Sequence, residues 1–293
     1  MKAIFVHDHK FHFSPDGHVY TDGKFPYVVW QRYLKFFNEL VVVGRAIPFD
    51  GYEVESHGGL NLSSGPRVSF AFMPNIAHPL RLFRYGPRVA AKLKALIASA
   101  DAVIIRTSLL GRIAAYVAEQ SGKPWALEVV GCSWDALWNY GNLYGRLYAP
   151  FAYLGLKVLA RKSPYTVYVT RHFLQKRYPC RGETAAVSDV EVTENAAEVL
   201  ERRLEHIAAP GSPFIFGLIG SLNSKYKGIQ TAIAALRRVS DQLPSFELRI
   251  LGGGDSAPWE RLAIAHGIAQ RVNFLGTLPG GDPVLHWLDT VDV

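Results

Sequence analysis

Residues 214–254 read FIFGLIGSLNSKYKGIQTAIAALRRVSDQLPSFELRILGGG, and this stretch decides the fold. Phe214 to Ile219 is a short apolar run that reads as a strand ending at Gly220, and Phe246 to Leu251 reads as a second strand, ending at Gly252-Gly253-Gly254. Between them Ile229 to Ser240 carries apolar residues at helical spacing. A strand buried on both faces needs a nearly continuous apolar run, and two such strands joined by a helix make a parallel crossover unit. The order continues with a helix over Trp259 to His266, a strand over Val272 to Leu275, and a helix from Val284 that leads into the first residues of a strand at Asp292-Val293. Upstream, apolar runs at Ala3 to Val6, Leu40 to Val43, Ala102 to Ile105, Trp125 to Val130 and Thr166 to Val169 alternate with helical patterns at Tyr27 to Asn38, Pro87 to Ser99 and Leu110 to Gln120. Pro48 to Gly65, rich in glycine, reads as edge strands and loops. The expectation is an α/β chain of two Rossmann-like doubly wound domains, the second of them incomplete.

The stretch from Arg181 to Ser212 separates the two series. It is acidic, rich in alanine and short of aromatics, with a helix expected over Ala196 to Ile207, so residues 181–212 read as an interdomain connection between domains at 1–180 and 213–293. Charge divides along the same line. Residues 1–180 carry a net charge of +11 and residues 181–293 a net charge of −4, within a total of +7. A basic first half suits a phosphorylated substrate or an anionic membrane surface. Nucleic acid is disfavoured, since there is no zinc-finger spacing, basic heptad region or aromatic RNA-binding signature.

With 49% hydrophobic and 19% charged residues, the 293-residue chain can build a sizeable core. Cys132 and Cys180 form neither a disulfide framework nor a zinc-ligand cluster, which points to a reducing compartment. Ala3 to Val6 is too brief for a signal-peptide core, and Lys157 interrupts the longest apolar stretch. A cytoplasmic location is expected, at most peripheral at the inner face of the plasma membrane.

The chemistry sits in the loops after the strands. In Gly217 to Gly228 a strand ends in glycine, a polar loop follows, and Lys227-Gly228 opens a helix. Backbone amides can approach an anion at Gly220, the helix dipole favours negative charge, and Lys227 can place a cation on a diphosphate. The alternative is an ordinary strand-to-helix turn with solvated lysines. Gly252-Gly253-Gly254 ends the neighbouring strand and is expected beside the first loop, as in a nucleotide site. Neither loop fits the dinucleotide fingerprint or the Walker motif, so a nicotinamide dehydrogenase and a P-loop kinase are disfavoured.

The runs IGSLNSKYKGIQTAIAAL, LRILGGGD and RVNFLGTLPGGDPVLHWLDTVDV resemble the donor-binding domain of family 4 glycosyltransferases of GT-B architecture. EVVGCSWDALWNYG and YVTRHFLQKRYP in the first half are similar to that family's polysaccharide-biosynthesis members. The resemblance implies transfer of a sugar, with retention, from a nucleotide-diphosphate sugar to a saccharide or lipid-linked acceptor, without a metal or other cofactor. It makes residues 1–180 the acceptor side and 213–293 the partial nucleotide-sugar-binding domain. It further implies that Gly220 faces the diphosphate and that Lys227 binds it. Many members have arginine where this chain has Ser221, a contact that Lys225 can replace, and Gly253 and Gly254 complete the donor loops. Two glutamates eight positions apart that follow in the family would begin after Val293, so the chain reads as truncated.

On the acceptor side, Gly23 resembles the family's glycine loop after the first strand, the alternative being a surface turn. Glu128 and Asp135 bracket the loop where relatives carry an acceptor-side pair, with Asp135 the better placed to orient a hydroxyl and a capping role its alternative. Asp135 and Lys227 are thus the catalytic candidates. His172 is a further acceptor-side candidate, or else a partly buried helix residue. His7, His9 and His12 read as cleft or strand-edge residues rather than metal ligands. Leu143 to Lys162 forms a basic, aromatic-rich amphipathic pattern that either packs on its own domain or meets a membrane interface. Two other readings remain open, a non-catalytic remnant that binds acceptor or partner and a GT-B-fold nucleotide-sugar epimerase.

Overall fold

A computed structural model of the chain describes residues 1–22, 24–48, 60–139, 143–188, 197–209, 211–279 and 281–293. By contact the chain divides into two units, Met1–Trp134 with Ala149–Glu191 and Asp135–Tyr148 with Val192–Val293.

The first unit is organised by β1 (Lys2–Phe13), whose side chains alternate between two cores. Ile4 and Val6 enter one core, while Ala3 and Phe5 enter the other. The strand β2 (Val19–Thr21) turns back antiparallel on the end of β1, and α1 (Tyr27–Leu34) crosses to β3 (Glu39–Pro48), which runs parallel to β1. The same alternation holds in β3, with Val41 and Val43 on one side and Leu40 and Val42 on the other. A two-residue strand β4 (Asn61–Leu62) edges β2, and β5 (Val68–Phe72) adds parallel to β3.

Helix α2 (Pro79–Ala98) returns to β6 (Ala102–Arg106), α3 (Leu109–Gln120) leads to β7 (Trp125–Val129), and α4 (Ser133–Trp138) and α5 (Leu143–Lys162) precede β8 (Tyr165–Tyr168). The short α6 (Phe173–Arg177) then leads to β9 (Glu183–Ala186), parallel to β8. The parallel order is β5-β3-β1-β6-β7-β8-β9, with β2 and β4 antiparallel beside the far end of β1. Buried residues of α2, α3 and α5 share one core, and those of α1 belong to the other, so helices cover both faces.

Two details depart from the sequence pattern. Helix α2 begins at Pro79 under a His78 cap and carries Pro87 within it, whereas the expected start was Pro87. Strand β9 lies inside the acidic stretch 181–212, yet it extends the first sheet. Part of the Pro48 to Gly65 expectation falls on residues 49–59, outside the described residues.

In the second unit α7 (Ala197–Ala208) precedes β10 (Phe214–Ile219), α8 (Ile229–Val239) crosses to β11 (Phe246–Leu251), and α9 (Ala257–Ala265) leads to β12 (Val272–Phe274) and α10 (Asp282–Leu288). The sheet is parallel in the order β10-β11-β12. Residues 292–293 run along the outer edge of β10, where the Asp292 amide donates to the Ile215 carbonyl at 2.8 Å and the Gly217 amide to the Val293 carbonyl at 2.6 Å. Helix α7 holds this segment: Arg203 donates to the carbonyls of Val291 and Asp292, and His206 Nε2 lies 2.6 Å from Asp292 Oδ1.

Candidate functional site

Parallel register sets the ends of β10, β11 and β12 side by side, so their three following loops meet at one edge of the second sheet. The approach is close enough to demand glycine. A Cβ on Gly252 would lie 2.7 Å from the Gly220 carbonyl carbon and nearer still to its oxygen. The loops are tied by backbone bonds from Gly220 to the Leu251 carbonyl (3.0 Å), from Leu222 to Gly253 (2.9 Å) and from Gly252 to Gly276 (2.7 Å). Gly220 and the loop Gly252 to Gly254 therefore meet in the structure.

After Gly220 the chain makes a short 3-10 turn over Lys225–Lys227, and Gly228 adopts a left-handed φ of 81° to start α8. That conformation suits glycine, which has no Cβ to clash. A Cβ on Gly220 would lie 2.9 Å from Lys227 Cβ, so the lysine stem crosses directly over the glycine. The Lys227 ammonium sits 5.1 Å above the Tyr226 ring. The first α8 amides have no intrahelical acceptor, and with Lys227 they form a positive, donor-rich corner suited to an anion. Lys225 and Ser221 are exposed on the same loop, and the Ser221 hydroxyl accepts from the Asn223 amide at 3.3 Å.

Two side chains outside the glycine motifs hold this corner together. Trp259, buried at the start of α9, donates its indole N–H to the Leu222 carbonyl at 2.8 Å. Asn223 Oδ1 accepts from the Asp255 amide at 3.3 Å and would touch a Cβ on Gly254, whose φ is 125°. A cavity of about 530 Å³ opens beside them, lined by Asn223, Lys225, Gln230, Asp255 and Trp259 among others.

The first unit carries a separate polar cluster at the carboxyl ends of β1, β6 and β7. Register pairs Arg106 with Glu128 on adjacent strands, and Arg106 Nε lies 3.2 Å from Glu128 Oε2. Tyr33 donates its hydroxyl to Glu128 Oε1 at 2.6 Å. Burial, followed by the Glu128 charge, pushes the Tyr33 phenol above its ordinary value, so it stays a donor. The Arg106 guanidinium also lies 5.1 Å over Phe25, which stacks on the fully buried Trp30. Glu128 is thus occupied by Tyr33 and Arg106.

His7 lies beside this cluster, and burial together with the Arg106 charge lowers its pKa to about 3. His9 is pulled to about 4 by burial, although Asp22 lies 3.6 Å away and favours the charged form. Burial prevails because Asp22 is largely solvent-exposed and screened, and the His9 ring instead bonds the Thr21 hydroxyl at 2.7 Å. Among the described residues no group of three or more His, Cys, Asp or Glu side chains converges as a metal site requires.

Asp135 is half-buried in the first turn of α4, and its carbonyl accepts from Asn139. Glu128 falls in the first unit and Asp135 in the second, so the loop that these two residues bracket crosses the division. His172 is exposed at the start of α6, with no side-chain cap bond. Gly23 lies outside the described residues. Arg106 and Tyr33 escaped the sequence reading. The available signal was the pair of opposite charges at equivalent places near the ends of two apolar strands, AVIIR and WALEV.

Residues 213–293 match the model of a family described as Glycosyl transferases group 1. Over 296 aligned residues the whole chain is 29% identical to Protein CapJ of Staphylococcus aureus and covers 72% of it. Among solved structures, Anabaena Alr3699/HepE in complex with UDP and glucose aligns over 100% of this chain and 73% of its own, with a TM-score of 0.57 and 13% identity. The lipopolysaccharide outer core galactosyltransferase WaaB, in its apo form, aligns over 99% and 72%, with a TM-score of 0.53 and 16% identity. These structural likenesses establish the fold, two Rossmann-like α/β units of the GT-B type.

Proposed function

We propose that the protein is a glycosyltransferase that moves a sugar, with retention, from a nucleotide-diphosphate sugar to a saccharide or lipid-linked acceptor in cell-surface polysaccharide synthesis. The observation that carries this reading is the anion-binding corner of the second unit, where Lys227 crosses Gly220 at the start of α8 and Gly252 to Gly254 closes the neighbouring strand end. The family match over residues 213–293 supports the same assignment.

Cleavage of the donor's sugar–phosphate bond leaves negative charge on the departing diphosphate. Lys227 and the α8 amides stabilise that charge as it develops, and Lys225 adds a second cation where relatives of this type use arginine at Ser221. The stabilisation grows along the reaction, so it accelerates bond breaking rather than merely tightening binding. Gly220, Gly253 and Gly254 let the backbone approach the donor. Asp135, in the second unit, is assigned to orienting the acceptor hydroxyl, and Gly23 and His172 are further acceptor-side groups. Glu128, held between Tyr33 and Arg106, keeps the acceptor edge charged and rigid.

Because a solved structure of this fold holds UDP and glucose, uridine diphosphate is the first probe. Lys227→Ala is expected to weaken its binding by about 1.5–3 kcal/mol, the scale of a charge-assisted hydrogen bond, and to leave uridine binding nearly unchanged. Calorimetry with a panel of nucleoside diphosphates and their sugars tests this. Equal affinity of wild type and variant for every diphosphate, with the fold intact, refutes the role of Lys227.

A further inference from the structure

We propose that the outer faces of α2 and α5 form a docking surface for an anionic lipid bilayer. Helix α5 is apolar on two sides. Its inner side buries Ala149, Leu156, Leu159 and Ala160. Within the first unit its outer side presents Phe151, Leu154 and Val158, each between 55% and 68% exposed. At about 100° per residue these three fall within an arc of about 60°, opposite the buried set. The stripe that packing on its own domain would have explained therefore faces outward. Helix α2 begins in the same manner, with Leu80 and Phe83 exposed at 74% and 88%.

Charge selects the occupant. Helix α2 carries Arg81, Arg84, Arg88, Lys92 and Lys94 and no acidic residue. The part of α5 in the first unit carries Lys157, Arg161 and Lys162, again with no acidic residue. The two belong to one helical layer, since α2 shares a core with α3 and Arg112 of α3 lies against Gly155 of α5. A second copy of the chain is a poor occupant, because pairing two such faces would bring like charges together. A bilayer with anionic headgroups accepts both features, the apolar stripe at the acyl boundary and the cations among phosphates. Among the described residues no helix is long and apolar enough to cross a membrane, so the mode is surface docking. The docking deepens the proposed function by bringing the site to a lipid-linked acceptor, and that purpose rests on the function reading, while the binding itself does not.

The test is co-sedimentation of the full chain with vesicles of phosphatidylcholine alone or with phosphatidylglycerol added. Binding to the anionic vesicles at low salt should be stronger by about tenfold or more, and should fall away at high salt. Phe151→Glu combined with Leu154→Glu should reduce it by about tenfold or more with an unchanged circular dichroism spectrum. Arg81→Glu combined with Arg84→Glu should remove the preference for anionic vesicles, which keeps the proposal testable if the first variant misfolds. Equal sedimentation with both vesicles overturns the proposal. So does a stable dimer in solution that the Phe151/Leu154 variant splits, with no vesicle binding. Uridine diphosphate affinity, measured in parallel, separates the readings: lost docking with intact nucleotide binding sinks docking alone, and the reverse result sinks the function.

Discussion

Replacing Gly252 with alanine should damage the second unit more than any other single added methyl described above. Ordinary carbon contacts lie at about 3.5–4.0 Å. The new Cβ would lie 2.7 Å from the Gly220 carbonyl carbon, and both partners are backbone, so no side chain can swing away. The loops must part by about 0.8 Å at the carbon, and by more at the oxygen. Overpacking of this kind costs about 1–3 kcal/mol. The separation also strains the Gly220–Leu251, Leu222–Gly253 and Gly252–Gly276 bonds, and loss of one adds about 1 kcal/mol. The expected total is about 2–4 kcal/mol, or about 10–20 °C in the unfolding temperature of a unit this size. Uridine diphosphate binding should fall as well, because the same displacement moves Gly220 from beneath Lys227. Gly211→Ala, whose Cβ would meet nothing within 4 Å, is the control and should shift stability by no more than about 0.5 kcal/mol. Scanning calorimetry and nucleotide titration on the two variants decide the matter. A Gly252→Ala protein as stable as the control, with unchanged nucleotide affinity, would show that the loops are not in contact as described.

Two further predictions concern the first unit. Both His7 and His9 have folded pKa values depressed from 6.5, to about 3 and about 4, so the unfolded chain binds more protons between those values. Their contribution is fully present above pH 6.5 and is lost as pH falls, and stability should drop by about 2–4 kcal/mol between pH 6.5 and 5. Urea midpoints across that range measure it, and an unchanged profile after His7→Gln combined with His9→Gln would rule these histidines out as the cause. Glu128→Gln should cost about 2–4 kcal/mol because it leaves the Arg106 guanidinium, largely buried, without its carboxylate. A double-mutant cycle with Arg106→Met should return a coupling of about 1.5–3 kcal/mol, and additive effects would show that the pair does not interact.

Strands buried on both faces were the most legible part of the sequence. Leu40 to Val43 and Ala102 to Ile105 are continuous apolar runs, they lie within β3 and β6, and their side chains enter both cores. The end of β1 was less legible. Beyond Val6 the residues His7-Asp8-His9-Lys10 look polar, yet His9 and Phe11 are buried with Lys10 exposed between them, a period of two disguised by a buried histidine. Strand β9 was hidden for the opposite reason: Glu183-Thr184-Ala185-Ala186 is exposed throughout and is held by backbone pairing to β8, which leaves little mark on composition. At the site, glycines betray themselves because close backbone approach admits no other residue. The Tyr33–Glu128–Arg106 contacts join residues up to 95 positions apart, and no local pattern announces them.

The place of β1 at the middle of its sheet bears on the order in which the molecule can assemble. One edge of β1 is covered by β3, which begins at Glu39, but the other waits for β6, whose Ala102 pairs with Ala3. At about 5–20 residues per second, a ribosome takes about 5–20 s to supply the missing partner. Through that interval an apolar strand edge stands open, a template for pairing with a neighbouring chain. In the second unit β10, β11 and β12 pair in chain order through short crossovers, while the outer edge of β10 waits for residues 292–293. Shielding by a chaperone should matter most while residues 40–102 are being made.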